Sequence, residues 1–251
     1  VLEFCRSRGA GLILLSTSRV YSIDSLAAVP VAVEEDAYRP DPTRPFPAGL
    51  TAEGVDETFS TRAPVSLYGS TKLASETLAL EYGESFDFPV WINRCGVMAG
   101  AGQFWRPDQG IFSFWINSYL RKQPLEYIGF GGEGHQVRDC LHPRDMAPLL
   151  LEQMDRTTSV PVEDRVANFS GGKESSISLR KLSAWCAERF GRHEIASRAE
   201  PRTFDVPWLV LDYSKAARLW QWKPRTSRER IFEEIAEHAK RHPAWLDISA
   251  G

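Results

Sequence analysis

Apolar residues recur along this chain in short unbroken runs separated by stretches of helical spacing. That alternation is expected of parallel strands buried under helices, and it places the chain in the α/β class. The first run, Leu12 to Leu15, ends in the polar Ser16-Thr17-Ser18-Arg19-Val20-Tyr21. Over residues 65–82 the spacing predicts a helix, with Leu67, Thr71, Ala74, Leu78 and Tyr82 at three- and four-residue steps and Ser66, after Pro64, as N-cap. Residues 90–95 predict the next core strand. Strands over 125–128 and 166–170 follow, with helices over 144–154, 177–190 (opened by Ser176 or Ser178), 213–219 and 227–241. Residues 1–8 read as the tail of a helix that Gly9 ends. Between Ser22 and Pro64 the prolines at 40, 42, 45 and 47 exclude a helix interior and predict a long irregular loop.

Composition adds limits. With 251 residues, 43% of them hydrophobic, the chain can bury one large or two small cores. A net charge of -3 gives no electrostatic case for a nucleic-acid or membrane partner. Cys5, Cys95, Cys140 and Cys186 lack metal-ligand spacing and read as reduced thiols of a cytoplasmic protein. No signal peptide and no apolar run long enough to span a bilayer is evident.

Candidate chemistry gathers where the predicted strands end. Tyr68 and Lys72 stand one helical turn apart, so phenol and ammonium project from one face. A nearby cation favours the phenolate, which suits a tyrosine that exchanges a proton with an alcohol. Ser16 to Ser18 either open a turn or bring the Thr17 hydroxyl to the same substrate oxygen, since doubly wound sheets hold ligands at the carboxyl ends of their strands. The aromatics Phe112, Phe114, Trp115 and Tyr119 either wall a pocket, stack on a base or pack in the core. Arg138, flanked by glycine at 134, suits bidentate binding of a diphosphate. Asp139 either pairs with it or caps the helix after Pro143, and His135 and His142 lack the company of a metal site.

The order strand, S-T-S-R-V-Y, long loop, then Y-G-S-T-K at a helix start resembles the extended short-chain dehydrogenase/reductase family that acts on nucleotide-sugars. The likeness runs to about Pro224, through G-H-Q-V-R-D-C-L-H (134–142) and the W-Q-W-K-P ending. Residues 103–119, with Asp108-Gln109-Gly110, resemble the branch that epimerises CDP-linked sugars at C2. The resemblance implies the second half of a doubly wound, Rossmann-type NAD-binding domain over 1–100 and a smaller α/β substrate domain over 101–251, with segments near 135–170 returning to the first. No glycine-rich turn follows a strand here, so the dinucleotide-binding first half is expected upstream of Val1. By the same resemblance Thr17, Tyr68 and Lys72 are catalytic, and Ser16, Tyr68, Lys72 and Cys95 meet NAD. Thr17, Ser18, Gln103, Asp108, Gln109, Arg138 and Arg202 meet a nucleotide-diphosphate sugar, with no metal. Val97 stands where the family often carries a polar sugar contact, a departure from its pattern. Dehydratases of the family carry Asp-Glu after the threonine; Ser18-Arg19 here argues for an epimerase or reductase. A homodimer through the Tyr68 helix is the implied assembly.

Overall fold

A computed structural model describes residues 1–104, 110–156, 160–200 and 202–244. Helix α1 (Leu2–Arg8) ends on Gly9 in the left-handed conformation and leads into β1 (Leu12–Thr17). After a short 3-10 turn at Ser18–Val20 come α2 (Ile23–Ala27) and the hairpin β2 (Val31–Glu34) and β3 (Ala37–Pro40). Then follow α3 (Ser66–Phe86), β4 (Val90–Cys95), β5 (Val97–Met98), α4 (Ile111–Arg121), β6 (Leu125–Ile128), β7 (Val137–Leu141) and α5 (Pro143–Asp155). The chain continues through β8 (Val166–Phe169), β9 (Ser176–Ser178), α6 (Leu179–Phe190), β10 (Ile195–Arg198), β11 (Trp208–Leu209), α7 (Ser214–Trp220) and α8 (Arg228–Arg241).

Strands β1, β4 and β8 form a parallel sheet in that order. Its register puts Thr17 opposite Cys95 and Cys95 opposite Phe169, so all three strands finish at one level. Strand alternation sends Val90 and Ile92 to a cluster with Cys5, Ala79 and Phe88 under α1 and α3. Trp91, Cys95 and Ile13 face the other way, onto Met146, Leu149, Ala216 and Trp220 of α5 and α7. Helices on both faces of a parallel sheet are the doubly wound arrangement expected from the sequence. Strand β1 is terminal in this sheet, with β4 its strand partner among the described residues. A third cluster joins α4, α6 and α8 around Phe112, Trp115, Leu182 and Phe232, with β6 and β10 paired beside it.

One expectation is corrected in part. The proline-rich span is irregular only in its second part: α2 and the β2–β3 hairpin order residues 23–40, residues 41–65 hold no helix or strand, and Leu26, Leu50, Val55 and Phe59 pack against Trp208, Val210 and Leu211. Proline excluded helix but not a hairpin whose last residue is Pro40. In α3 most of the apolar stripe that marks the helix lies outward, with Leu67 at 89% and Leu78 at 54% exposure. The buried positions are Gly69, Glu76, Ala79 and Gly83, because the helix lies close against the sheet. A Cβ at Gly83 would come within 2.6 Å of Val90, so only a bare backbone fits at that crossing.

Candidate active site

The strand ends of β1 and β4 open onto a cleft of about 950 Å³. Its rim carries Ser16, Thr17, Ser18 and Arg19 from the end of β1, Tyr68 from the first turn of α3, and Cys95 to Met98 after β4. The far wall is apolar and aromatic, with Phe112, Phe114 and Trp115 of α4, and Arg138, Arg202 and Asp205 lie between. Thr17, Ser18, Tyr68, Arg138 and Arg202 are thus brought together, as are Ser16 and Cys95.

Local sequence explains the placement. Thr17 ends its strand and its Oγ1 accepts the Arg19 N–H at 3.2 Å, which turns the chain into the Ser18–Val20 helical turn. Val65, and not the expected Ser66, is the N-cap of α3, yet Ser66 Oγ accepts the Gly69 N–H at 3.2 Å from the first helical position. A Cβ at Gly69 would overlap the Arg19 carbonyl oxygen, so glycine lets the start of α3 touch the end of β1. Gly69→Ala is expected to cost about 1–3 kcal/mol through overpacking. A lowered urea midpoint with unchanged slope checks it.

Tyr68 is 51% exposed, and the Lys72 ammonium lies 5.9 Å from its ring centroid. Lys72 Nζ also donates to the Leu15 carbonyl at 3.3 Å, which ties the side chain to β1 behind the rim. Cys95 is buried, and burial pushes its thiol up to about 12, so it meets the cleft as a neutral group. All four cysteines are free and buried. Arg138 donates to Asp205 Oδ1 at 3.0 Å and to the Val206 carbonyl at 2.9 Å.

Other expected contacts lie elsewhere. Gln103 does not reach the cleft: its amide nitrogen donates to the Met98 carbonyl at 2.8 Å and its oxygen accepts from Ser113 at 2.7 Å, so it braces the chain beneath α4. Asp108 and Gln109 lie outside the described residues. Ser16 lines the cleft but is buried, with its hydroxyl proton committed to Glu76. Asp139 neither pairs with Arg138 nor caps α5. It accepts from Ser170 Oγ and, at 3.3 Å, from the Leu211 N–H, against Gly96. Burial raises its pKa. His142 provides the cap instead, its Nδ1 accepting the Arg144 N–H at 2.9 Å while Nε2 faces Glu234 at 3.0 Å. Trp115 stacks on Tyr127 at 5.7 Å and donates to Ser183, which fixes it as wall.

Beneath the rim lies a buried polar network that the sequence reading missed. Glu76, two helical turns beyond Tyr68, receives Arg94 Nη2 at 2.8 Å and Nε at 3.2 Å, besides the Ser16 hydroxyl. Arg94 also lies over the Tyr21 ring at 5.2 Å, and Tyr21 donates to Asn168 Oδ1 at 2.7 Å. Asn168 in turn donates its backbone N–H to Glu57 at 2.6 Å. Burial alone would lower the Arg94 pKa, but the Tyr21 and Glu76 partners outweigh it and hold it above its ordinary value. Helix α3 is thereby bolted to β1, β4 and β8 at once. The signal was present in the chain: Glu76 falls four residues beyond Lys72 and eight beyond Tyr68.

A parallel sheet whose strands finish together beneath such a cleft defines the doubly wound α/β class that takes ligands at its strand ends. Over residues 1–166 the sequence matches the NAD dependent epimerase/dehydratase family, and the chain belongs to it. The family is NAD-dependent and its members act on nucleotide-sugars. The chain is 25% identical over 184 residues to UDP-glucuronate 4-epimerase of Thermodesulfobacterium geofontis, covering 73% of this chain and 53% of that protein. It is 26% identical over 168 residues to CDP-paratose 2-epimerase of Salmonella typhi, covering 64% and 48%. Among solved structures, MoeE5 in complex with UDP-glucose and NAD is 27% identical, with a TM-score of 0.66 and coverage of 96% and 69%. UDP-glucuronic acid 4-epimerase from Bacillus cereus, 24% identical, shares the fold with a TM-score of 0.71 and coverage of 96% and 65%. The chain thus spans about half the length of the curated relatives it matches. No helix among the described residues is long and apolar enough to cross a membrane.

Proposed function

We propose that the protein epimerises a nucleotide-diphosphate sugar through a transient keto sugar, with a CDP-linked sugar turned over at C2 as the particular reaction. The observation that carries this is the shared cleft of Thr17, Ser18, Tyr68, Arg138 and Arg202 at the ends of β1 and β4. Residues 1–100 serve the cofactor and 101–251 mainly the sugar-nucleotide in this reading.

The donor set suits a nicotinamide riboside. Tyr68 and Lys72 offer a phenol and an ammonium that no carboxylate occupies among the described residues, and Cys95 adds a neutral wall. When bound, NAD supplies the hydride acceptor and donor. Tyr68 takes the proton of the sugar hydroxyl as the carbon becomes a ketone, and gives it back when the opposite face is reduced. Thr17 donates a hydrogen bond to the reacting oxygen, where charge develops. Lys72 holds the ribose. Arg138 and Arg202 clamp the diphosphate while the sugar turns. The two acids on the cleft wall, Asp205 and Glu126, are paired with Arg138 and Arg198, which fits a reaction that removes no proton from a neighbouring carbon.

Incubation with NAD and a panel of CDP- and UDP-sugars, followed by NMR of the products, tests the reading. A C2 epimer from a CDP-sugar supports it, whereas no epimer from any member of the panel overturns it. Epimerisation at C4 is the second reading, favoured by the likeness to UDP-sugar 4-epimerases, and the same spectra separate the two.

The outward stripe of α3 suits a second copy of this chain, since Leu67, Thr71, Ala74 and Leu78 form one exposed face. Leu78→Glu is expected to shift sedimentation from dimer to monomer with little change in melting temperature of the single chain.

A further inference from the structure

Arg19 has no role in the reading above, yet its setting is specific. Its backbone is fixed at both ends, by the N–H to Thr17 Oγ1 and by the carbonyl packed on Gly69. Its side chain is exposed and lines the cleft beside Thr17, Ser18 and Tyr68. Among the described residues the guanidinium has no ion-pair, hydrogen-bond or aromatic partner, whereas Arg138 and Arg94 are each held by a carboxylate. It is also close enough to Arg138 for the two charges to repel. Arg138 is held below its ordinary pKa chiefly by burial, with Asp205 opposing and Arg19 adding to the lowering. A cation left unneutralised in a cleft, facing a second cation, is relieved by an anion between them. The planar fork of an arginine matches a phosphate or a carboxylate.

Resting on the nucleotide-sugar reading, we infer that Arg19 is an anion-binding residue of the cleft, and that with Arg138 it grips one oxyanion of the bound nucleotide-sugar at the end of β1. That oxyanion has two sources, the diphosphate or a carboxylate on the sugar ring. Titration calorimetry of the protein with UDP, UDP-glucose and UDP-glucuronate, before and after Arg19→Met, separates them. Methionine keeps the apolar stem and removes the charge, and a melting curve close to that of the unaltered protein is expected because the side chain is exposed.

The expected result is an affinity about ten- to a hundredfold weaker, the scale of a charge-assisted hydrogen bond. Weakening of all three ligands assigns the diphosphate, and weakening of UDP-glucuronate alone assigns the sugar carboxylate. Arg19→Lys should recover part of the loss, since the charge returns without the fork. A change below twofold for every ligand overturns the assignment and leaves the nucleotide-sugar reading standing. Failure of the unaltered protein to bind any of the three, or CDP or CDP-glucose titrated in the same way, overturns that reading, and the assignment with it.

Discussion

Replacing Tyr68 with phenylalanine is expected to lower turnover of a nucleotide-sugar by about a hundred- to ten-thousandfold, the range of a lost general acid–base. The fold should hardly notice. The side chain is 51% exposed, and no described residue hydrogen-bonds its hydroxyl, so the substitution strands no buried partner. Binding should also survive, since the residues proposed to clamp the diphosphate are Arg138 and Arg202. The measurement is kcat with NAD and sugar saturating, alongside a thermal melt and a binding titration. A variant that folds, binds and still turns over at the parental rate would remove the phenol from the chemistry.

The second large effect is expected at Glu76. Glu76→Ala leaves the Arg94 guanidinium buried without its carboxylate, which costs about 3–5 kcal/mol. For a chain of this size the melting temperature should then fall by roughly 6–20 °C. Glu76→Leu combined with Arg94→Met should recover much of that loss, because an apolar pair of similar volume removes both charges together. Turnover need not recover with it. The network joins α3 to three strands, so an apolar replacement restores packing while relaxing the rotation of the helix that aims Tyr68 and Lys72. A single substitution costing less than about 1 kcal/mol would show the pair to be solvated instead of buried.

Those two sites differ in how visible they were from the residues alone. Tyr68, Lys72, Thr17 and Arg138 stand in local patterns, a helical spacing or a strand end, and local patterns survive without coordinates. Strand β4 was legible for the same reason, as six residues buried on both faces read as one apolar-rich run. Glu76 and Arg94 were not, because charged residues are assigned outward by default and their burial depends on a partner 18 positions away. In α3, Leu67 and Leu78 lie outside while Leu73 and Leu80 pack inward and Gly69 and Gly83 are buried, a division that hydrophobic periodicity alone does not resolve. The hairpin over 31–40 was hidden by prolines, whose effect on helices is strong and whose tolerance at strand ends is easily overlooked. Gln103 was placed by likeness, and only its two hydrogen bonds reveal that it braces the chain beneath α4.

Strand β1 carries a final consequence. It is joined to β4 along one side, and Leu15 in it is 40% exposed. Among the described residues its other side carries no ladder, and apart from the Leu15 carbonyl, which Lys72 holds, its amides and carbonyls form a template on which an extended peptide can zip. Purified alone at high concentration, the chain should therefore clump through that seam, and a short peptide of matching length added in trans should keep it dispersed.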